Sequence, residues 1–493
     1  MRVFRRKAKQ PQRHSMGIIK HKRWLGVVFC LIFSSVTACG KSPIMLTQKM
    51  LDKAGATFVV KEDYTANGAI LHLANQQELV FDGGKIDHVI LVGNHSIVKV
   101  KGAKPVFGKN VIIRGIWNNE TAHDGWFEYE EGKDFVANQL IKNMLAFSND
   151  ATFCHLFFEE NRTYYFELPY RGNAKLGDEF TYHIKDNGKK KRHYIEVYND
   201  EYSFLRIFTI PSNTTITLNN TLQMLPTHVG AYFVFWEYGK ENVTIEGKGT
   251  IAGDNKKHFY TSPYAGSKYY GEWGFLFRCF KCKNFVFRGI TLRDAFGDCI
   301  IYQGSHLPNE YESRFADGLL IENVKIIGAR RNGVAVGARN VVIRNCHFES
   351  CGSEAAKGTA PRSAIDFESD GIKHYPEIGN QNVLMENCTF KDNHYDVASY
   401  RNNLSNYGQL ATTVKNCVFT APLKIEGTYW MRFENCYIPF VWNSKDDKSV
   451  LLYSKHMEFV NCEFRQWDTS IRSKATTNSN TYTNCKFNTK RQK

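Results

Sequence analysis

Proline is scarce in this 493-residue chain, at 12, and glycine reaches only 37, which excludes collagen-like and linker-dominated architectures. The apolar run at residues 25–38 (LGVVFCLIFSSVTA) falls short of the roughly 20 residues needed to span a bilayer as a stable helix. Acidic residues are missing from residues 1–38, where nine Lys or Arg stand (Arg2, Arg5, Arg6, Lys7, Lys9, Arg13, Lys20, Lys22, Arg23). That stretch accounts for much of the net charge of +15: it leaves 55 of the 64 basic residues against 49 acidic ones. Beyond it the one dense basic run is Lys189, Lys190, Lys191 and Arg192, read as a solvated loop, and no nucleic-acid partner is expected. The 13 cysteines lack the placement of a disulfide framework. Cys279 and Cys282 form a C-x-x-C, but no second pair stands at zinc spacing and no thioredoxin-like βαβ pattern surrounds it, so no metal or redox role is assigned. The remaining composition, 43% apolar and 23% charged, is that of a folded chain, and the 14% aromatic content suits either a core or flat ligand-facing surfaces.

The apolar run after a basic lead has the form of a secretion signal, with Met16 as an alternative start that shortens the lead to Lys20, Lys22 and Arg23. It ends in Val36-Thr37-Ala38-Cys39-Gly40, which resembles the lipobox of bacterial lipoproteins, small residues before a cysteine that is lipidated and becomes the new N-terminus. The resemblance implies lipidation of Cys39 and an outer-membrane anchor in a Gram-negative envelope. Lys41-Ser42-Pro43 carries no acidic export tag, so the periplasmic and exterior faces both stay open.

Repetition dominates the second half. Asn-Cys recurs in VVIRNCHF, VLMENCTF, TVKNCVF, MRFENCYI, MEFVNCEF and TYTNCKF, with Cys346, Cys388, Cys417, Cys436, Cys462 and Cys485 spaced 42, 29, 19, 26 and 23 residues apart. Related phrases are IENVKI, FVFRGITL, VTIEGKGTI and VIIRGI. Each is an alternating β-branched strand, a turn residue and a second short strand. A period in the twenties without helical pattern between repeats is a solenoid signature, and with strands it means a parallel β-helix whose coils stack ~4.8 Å apart. Asn at the turn is expected to bond the Asn of neighbouring coils, and Cys to fill a tight interior corner. The first half is less regular. Strands at residues 57–116 read as a cap, residues 135–148 carry apolar residues at helical spacing, residues 155–166 read as the following strand, and residues 170–200 read as an insertion loop. The organisation is therefore 1–39 signal, 40–134 N-terminal β cap, 135–493 parallel β-helix.

Four phrases within residues 57–487 resemble the pectin-lyase-like right-handed parallel β-helix superfamily, and most closely its bacterial and phage-tailspike members. They are GDNKKHF with GEWG, FGDCI, RRNG and GTAPRSAIDFES. The resemblance implies that fold and a glycan along one face, while the reaction stays open, because the fold hosts lyases, hydrolases, epimerases and inert spikes. Two departures stand out: Cys299 replaces the Gly expected after Gly297-Asp298, and Ser369 replaces the Pro expected after Glu368.

Stacking the coils by distance from each turn lays Val334–Gly337 over Ile300–Gln303, and residues 365–368 over both. Ile300, Tyr302, Val334, Val336, Ile365 and Phe367 then face inward; Ile301, Gln303, Ala335, Gly337, Asp366 and Glu368 face outward, with a hollow beside the two carboxylates. Carboxylates two residues apart on a strand are ~6.7 Å apart at Cα, compatible with the separation that inverting glycosidases use, and their mutual repulsion raises one pKa as a general acid requires. Asp298 at a neighbouring turn is a third carboxylate. Arg330 and Arg331 between them are candidates for gripping a sugar by a bidentate fork. His258, Glu272 and Trp273 lie on the preceding coil or its loop as further substrate contacts, with Trp273 able to stack on a ring. The alternatives are structural: Asp366 pairing with Arg331 or Arg362, Asp298 capping its turn. Asp366, Glu368 and Asp370 do not clearly converge, so no metal and no other cofactor is expected.

The reading is a glycoside hydrolase acting on a polysaccharide by carboxylate acid/base chemistry. The alternatives are a uronate-specific lyase using Arg330, Arg331, Lys373, His374 or Tyr375, and a non-catalytic glycan-binding envelope protein. Sugar, linkage and oligomeric state are not legible.

Overall fold

The computed structural model describes residues 42–159, 161–168, 183–186, 191–194, 206–227, 231–258, 273–304, 315–353, 360–367, 379–400, 410–440, 454–466 and 479–488. Pro43–Lys493 form one unit. Its strands stack in parallel into long sheets, one strand per coil. A twelve-stranded sheet runs from Thr121–His123 to Thr481–Thr483. A seven-stranded sheet runs from Thr163–Phe166 to Thr389–Lys391 and continues through the bridge at Val418 into a three-stranded one. An eight-stranded sheet runs from Arg206–Phe208 to Leu423–Glu426. Each coil visits the three in turn, giving a parallel β-helix.

The turn from the twelve- to the seven-stranded sheet explains why the repeated phrases look alike but differ in one letter. The chain there takes a positive-φ conformation in nearly every coil. Glycine supplies it at Gly247 and Gly289, and asparagine at Asn161, Asn323, Asn345, Asn387, Asn416, Asn435, Asn461 and Asn484, the asparagines all near φ 49–55°. Asparagine is the non-glycine residue that best tolerates this region. The expected ladder forms: Asn416 donates to Asn387 at 3.2 Å, Asn435 to Asn416 at 3.1 Å and Asn461 to Asn435 at 3.1 Å. The following cysteines turn inward, and each Sγ–H points at the carbonyl two residues before it, as Cys417 does to Lys415 at 3.1 Å.

The interior is made of residue columns. Phe235 stacks on Phe277 at 4.7 Å, Phe433 on Phe459 at 5.3 Å, and Phe459 on Tyr482 at 5.1 Å. Such pairs add roughly 0.5–1.5 kcal/mol each beyond the area they bury. The aromatic content is thus spent largely on the core.

The N-terminal strands between Ile44 and Trp117 are themselves parallel coils, and the helix forms at Asn138–Ala146, within the span the apolar spacing indicates. Residues 155–166 differ from expectation: they are two strands, Cys154–Phe158 and Thr163–Phe166, because the chain turns a corner from one sheet to the next. Inside the expected insertion loop His183–Asp186 pairs antiparallel with Lys191–Tyr194, so Lys191 and Arg192 stand on a strand.

Candidate functional site

The corner where the seven-stranded sheet hands over to the eight-stranded one gathers most of the expected site residues that are described. The coil stacking holds: Ile300 pairs with Val334 and Val334 with Ile365, while Ile301, Ala335 and Asp366 form the neighbouring outward column. Following the same register back two residues places Asp298, Asn332 and Ser363 one above another at the corner. Asp298 is wholly buried. Its Oδ1 accepts the backbone N–H of Asn332 at 2.9 Å, and its Oδ2 accepts Arg331 Nη1 at 2.6 Å. Asn332 Oδ1 accepts both the backbone N–H and the hydroxyl of Ser363, at 3.0 and 3.1 Å. Its Nδ2 lies 3.5 Å from Asp298 Oδ2 and 3.4 Å from Asp366 Oδ2. Two carboxylates from different coils therefore flank one amide nitrogen. Gly333 follows because a Cβ there would come within 2.5 Å of the Ala364 carbonyl oxygen.

Burial pushes the Asp298 carboxyl above its ordinary value, and the charge of Arg331 and the donors of Asn332 oppose that rise. Arg331 also donates from Nε to the Ala360 carbonyl at 3.1 Å, so one guanidinium ties the Asp298 turn to the segment entering the Asp366 strand. Arg331 thus pairs with Asp298 where a pairing with Asp366 had been an alternative, and Arg362 donates from Nε to the Gly352 carbonyl at 2.8 Å.

The outward column is screened where a hollow was expected. Asp366 is 1% exposed, Ala335 2% and Ala398, on the far side of Asp366, 1%. Arg330 is buried, its guanidinium 4.9 Å from the Phe296 ring centroid. His258 is enclosed as well: its ring stacks on Phe296 at 3.7 Å, and its Nδ1 lies 2.8 Å from Asp254 Oδ2. Asp254 also accepts the Tyr232 hydroxyl and the Thr227 N–H. His258 and Arg330 thus both contact Phe296, two residues before Asp298. Glu368, Glu272 and the lipidation candidate Cys39 lie outside the described residues, as do Lys373, His374 and Tyr375. Trp273 is described as the first residue of a strand, without its side chain.

Asn332 and Ser363 were not singled out from the sequence. The signal was present: both stand two residues before the inward positions that the stacking had already aligned. Among the described residues no group of three or more potential metal ligands converges, and no helix is long and apolar enough to cross a membrane.

Residues 277–422, which include the whole corner, match the family model described as a right-handed β-helix region. The protein is a right-handed parallel β-helix. A curated relative, the SPbeta prophage-derived uncharacterized protein YorA of Bacillus subtilis strain 168, is 26% identical over 190 residues, 37% of this chain; the match spans about a third (31%) of the relative's length. Among solved structures, a tailspike protein of the E. coli bacteriophage HK620 is similar at 10% identity and TM-score 0.44, covering 71% of this chain and 57% of that one. An exopolygalacturonase from Thermotoga maritima is similar at 11% identity and TM-score 0.41, covering 70% and 80%.

Proposed function

We propose that this β-helix cleaves a polysaccharide laid across the eight-stranded sheet, with Asp298 and Asp366 as the acid/base pair. The substrate class comes from the motif resemblance and from the face itself, where coils repeat at ~4.8 Å, a rise comparable to one sugar ring. The observation that carries the chemistry is the shared amide: both carboxylates lie within 3.5 Å of Asn332 Nδ2, so the two oxygens are at most about 7 Å apart. That bound admits the ~5–5.5 Å of retaining glycosidases and reaches the lower edge of the inverting range.

Roles follow from environment. Asp298, with its pKa raised by burial, is the proton donor. Asp366, on the strand beside two alanines, is the partner that activates water or attacks the sugar. Arg331 and Asn332 hold Asp298 in place and share its charge as the proton leaves. Both carboxylates are buried, which strengthens the electrostatic interactions around them.

A uronate lyase is favoured by one observation, a cation directly beside the Asp298 carboxylate: Arg331, 2.6 Å from it, has a side chain 12% exposed, while Asp298 is wholly buried. Residues 40–493 incubated with neutral and acidic polysaccharides distinguish the readings. New reducing ends without ultraviolet absorbance support hydrolysis, and absorbance from an unsaturated uronate moves the chemistry to Arg331. Asp366→Asn should remove nearly all turnover; binding that persists with no turnover in the unsubstituted protein supports the non-catalytic reading.

A further inference from the structure

The cysteines that follow the turn asparagines form a column in which the corner takes no part. Cys346, Cys388, Cys417, Cys436, Cys462 and Cys485 come from successive coils, and all are free thiols. All but Cys485 are buried, and Cys485 is half-buried. Their side chains repeat as their backbones do. The Cys346 Sγ–H points at the Arg344 carbonyl in its own coil at 3.2 Å and at the Ile321 carbonyl in the coil before at 3.4 Å. Cys462 does the same to Val460 and Phe433, both at 3.4 Å, and Cys485 to Thr483 at 3.4 Å and Phe459 at 3.3 Å. In each case the second carbonyl belongs to the residue that pairs with the one three before the cysteine. One contact pattern means one rotamer, so the sulfurs repeat at the coil spacing, ~4.8 Å. Neighbouring thiols interact directly down the column, Cys346 with Cys388, Cys388 with Cys417, Cys417 with Cys436, Cys436 with Cys462, and Cys462 with Cys485.

We propose that this thiol column binds a file of Cu(I) ions, one between each two neighbouring sulfurs. A cation held in line by two thiolates at ~2.3 Å from each spans ~4.6 Å, close to the coil spacing. Soft thiolate ligands select Cu(I). Each gap offers two sulfurs in line and never three converging, which suits a two-coordinate ion and not the tetrahedral site that zinc takes. Charge points the same way. The six thiols enclose five gaps. Each Cu(I) that enters forms its bonds to sulfur as one S–H proton leaves to solvent, so a filled column keeps one proton and carries no net charge. Divalent ions in the same gaps would outnumber the protons available and bury positive charge. Cys485, the most exposed member, is where ions enter.

The test titrates the reduced protein under argon with Cu(I) in acetonitrile. Bound ions are counted by thiolate-to-copper charge-transfer absorbance and by native mass spectrometry. Cysteine is replaced by valine, which this corner already accepts: Val324 stands there one coil before Cys346 and is buried. Shared sulfurs make the losses unequal. Cys417→Val removes the gap on each side of it and should bind two ions fewer than the native protein, and Cys388→Val the same. Cys346→Val, at the end of the column, should bind one fewer. Equal loss of one ion at all three positions overturns the shared file, and loss of none, or no uptake by the native protein, overturns the site. Zn(II) uptake with the same pattern of losses overturns the choice of a monovalent ion. Circular dichroism checks that each variant is folded, and either interior variant carries the reading without the other.

Discussion

Asn332 grips Asp298 twice, through its backbone N–H to Oδ1 at 2.9 Å and through Nδ2, 3.5 Å from Oδ2. The same side chain accepts two hydrogen bonds from Ser363. It is therefore the hub of a fully buried polar network, where a missing member costs more than its own bond. Asn332→Ala leaves the Ser363 donors and one side of each carboxylate without their partner. The expected loss is about 2–4 kcal/mol of stability, read as a lower midpoint in urea unfolding with an unchanged slope. Asn332→Asp keeps the Ser363 acceptor but adds a third carboxylate, and should lose more above pH 5 than below it.

Arg331 sets the protonation of Asp298. Burial raises the Asp298 pKa and the arginine holds it down, so Arg331→Gln raises it further. A proton donor is lost as pH climbs through its pKa. The alkaline limb of the kcat/KM profile should therefore move to higher pH in Arg331→Gln, and return partway in Arg331→Lys. A fall in rate with no shift of that limb would mean Asp298 is not the donor. The effect on stability has its own sign: a carboxyl with a raised folded pKa favours the fold below its unfolded value of 3.8, and that contribution is lost as pH rises through the folded pKa. Arg331→Gln should thus be destabilised more at pH 8 than at pH 4.

The fold was legible because its unit repeats. The phrase ending in Asn345-Cys346 returns at Asn387-Cys388 and Asn416-Cys417, and a positive-φ turn residue in nearly every coil explains both the asparagines and the glycines that stand in for them at Gly247 and Gly289. Register followed from the same turns, which is why Ile300, Val334 and Ile365 could be stacked in advance. The corner was only half legible. Asp298 and Asp366 are recognisable as acids in unusual phrases, but Asn332 looks like any turn asparagine until the coils are placed in three dimensions. Burial was the least legible property. An alternating strand says which way Asp366 points and nothing about what lies over it, and His258, in a polar phrase, gives no sign that Phe296 and Asp254 enclose it.

Export rests on sequence alone. If Cys39 is the modified residue, labelled fatty acid should enter the native protein and not Cys39→Ala, and the native protein should sediment with membranes. A native protein that is unlabelled and soluble, with a mature N-terminus next to Gly40, would point to an ordinary signal peptide.

Glu237 offers a test of the interior that does not depend on function. It lies in the inward column that continues through Cys279 to Tyr302, and is fully buried. Oε1 accepts the Ile210 N–H at 2.9 Å, and burial pushes the carboxyl well above its ordinary value. The unfolded chain ionises near 4.5, whereas the folded one keeps its proton to higher pH. Stability from this group is complete below 4.5 and falls as pH rises toward the folded pKa. Glu237→Gln keeps an oxygen for Ile210 and has no proton to hold. It should match the native protein near pH 4 and be the more stable of the two at pH 7–8, with thermal midpoints across that range as the measurement. Equal pH dependence in the two proteins would show that Glu237 ionises as freely inside the solenoid as outside it, and would place water or a cation against that carboxylate.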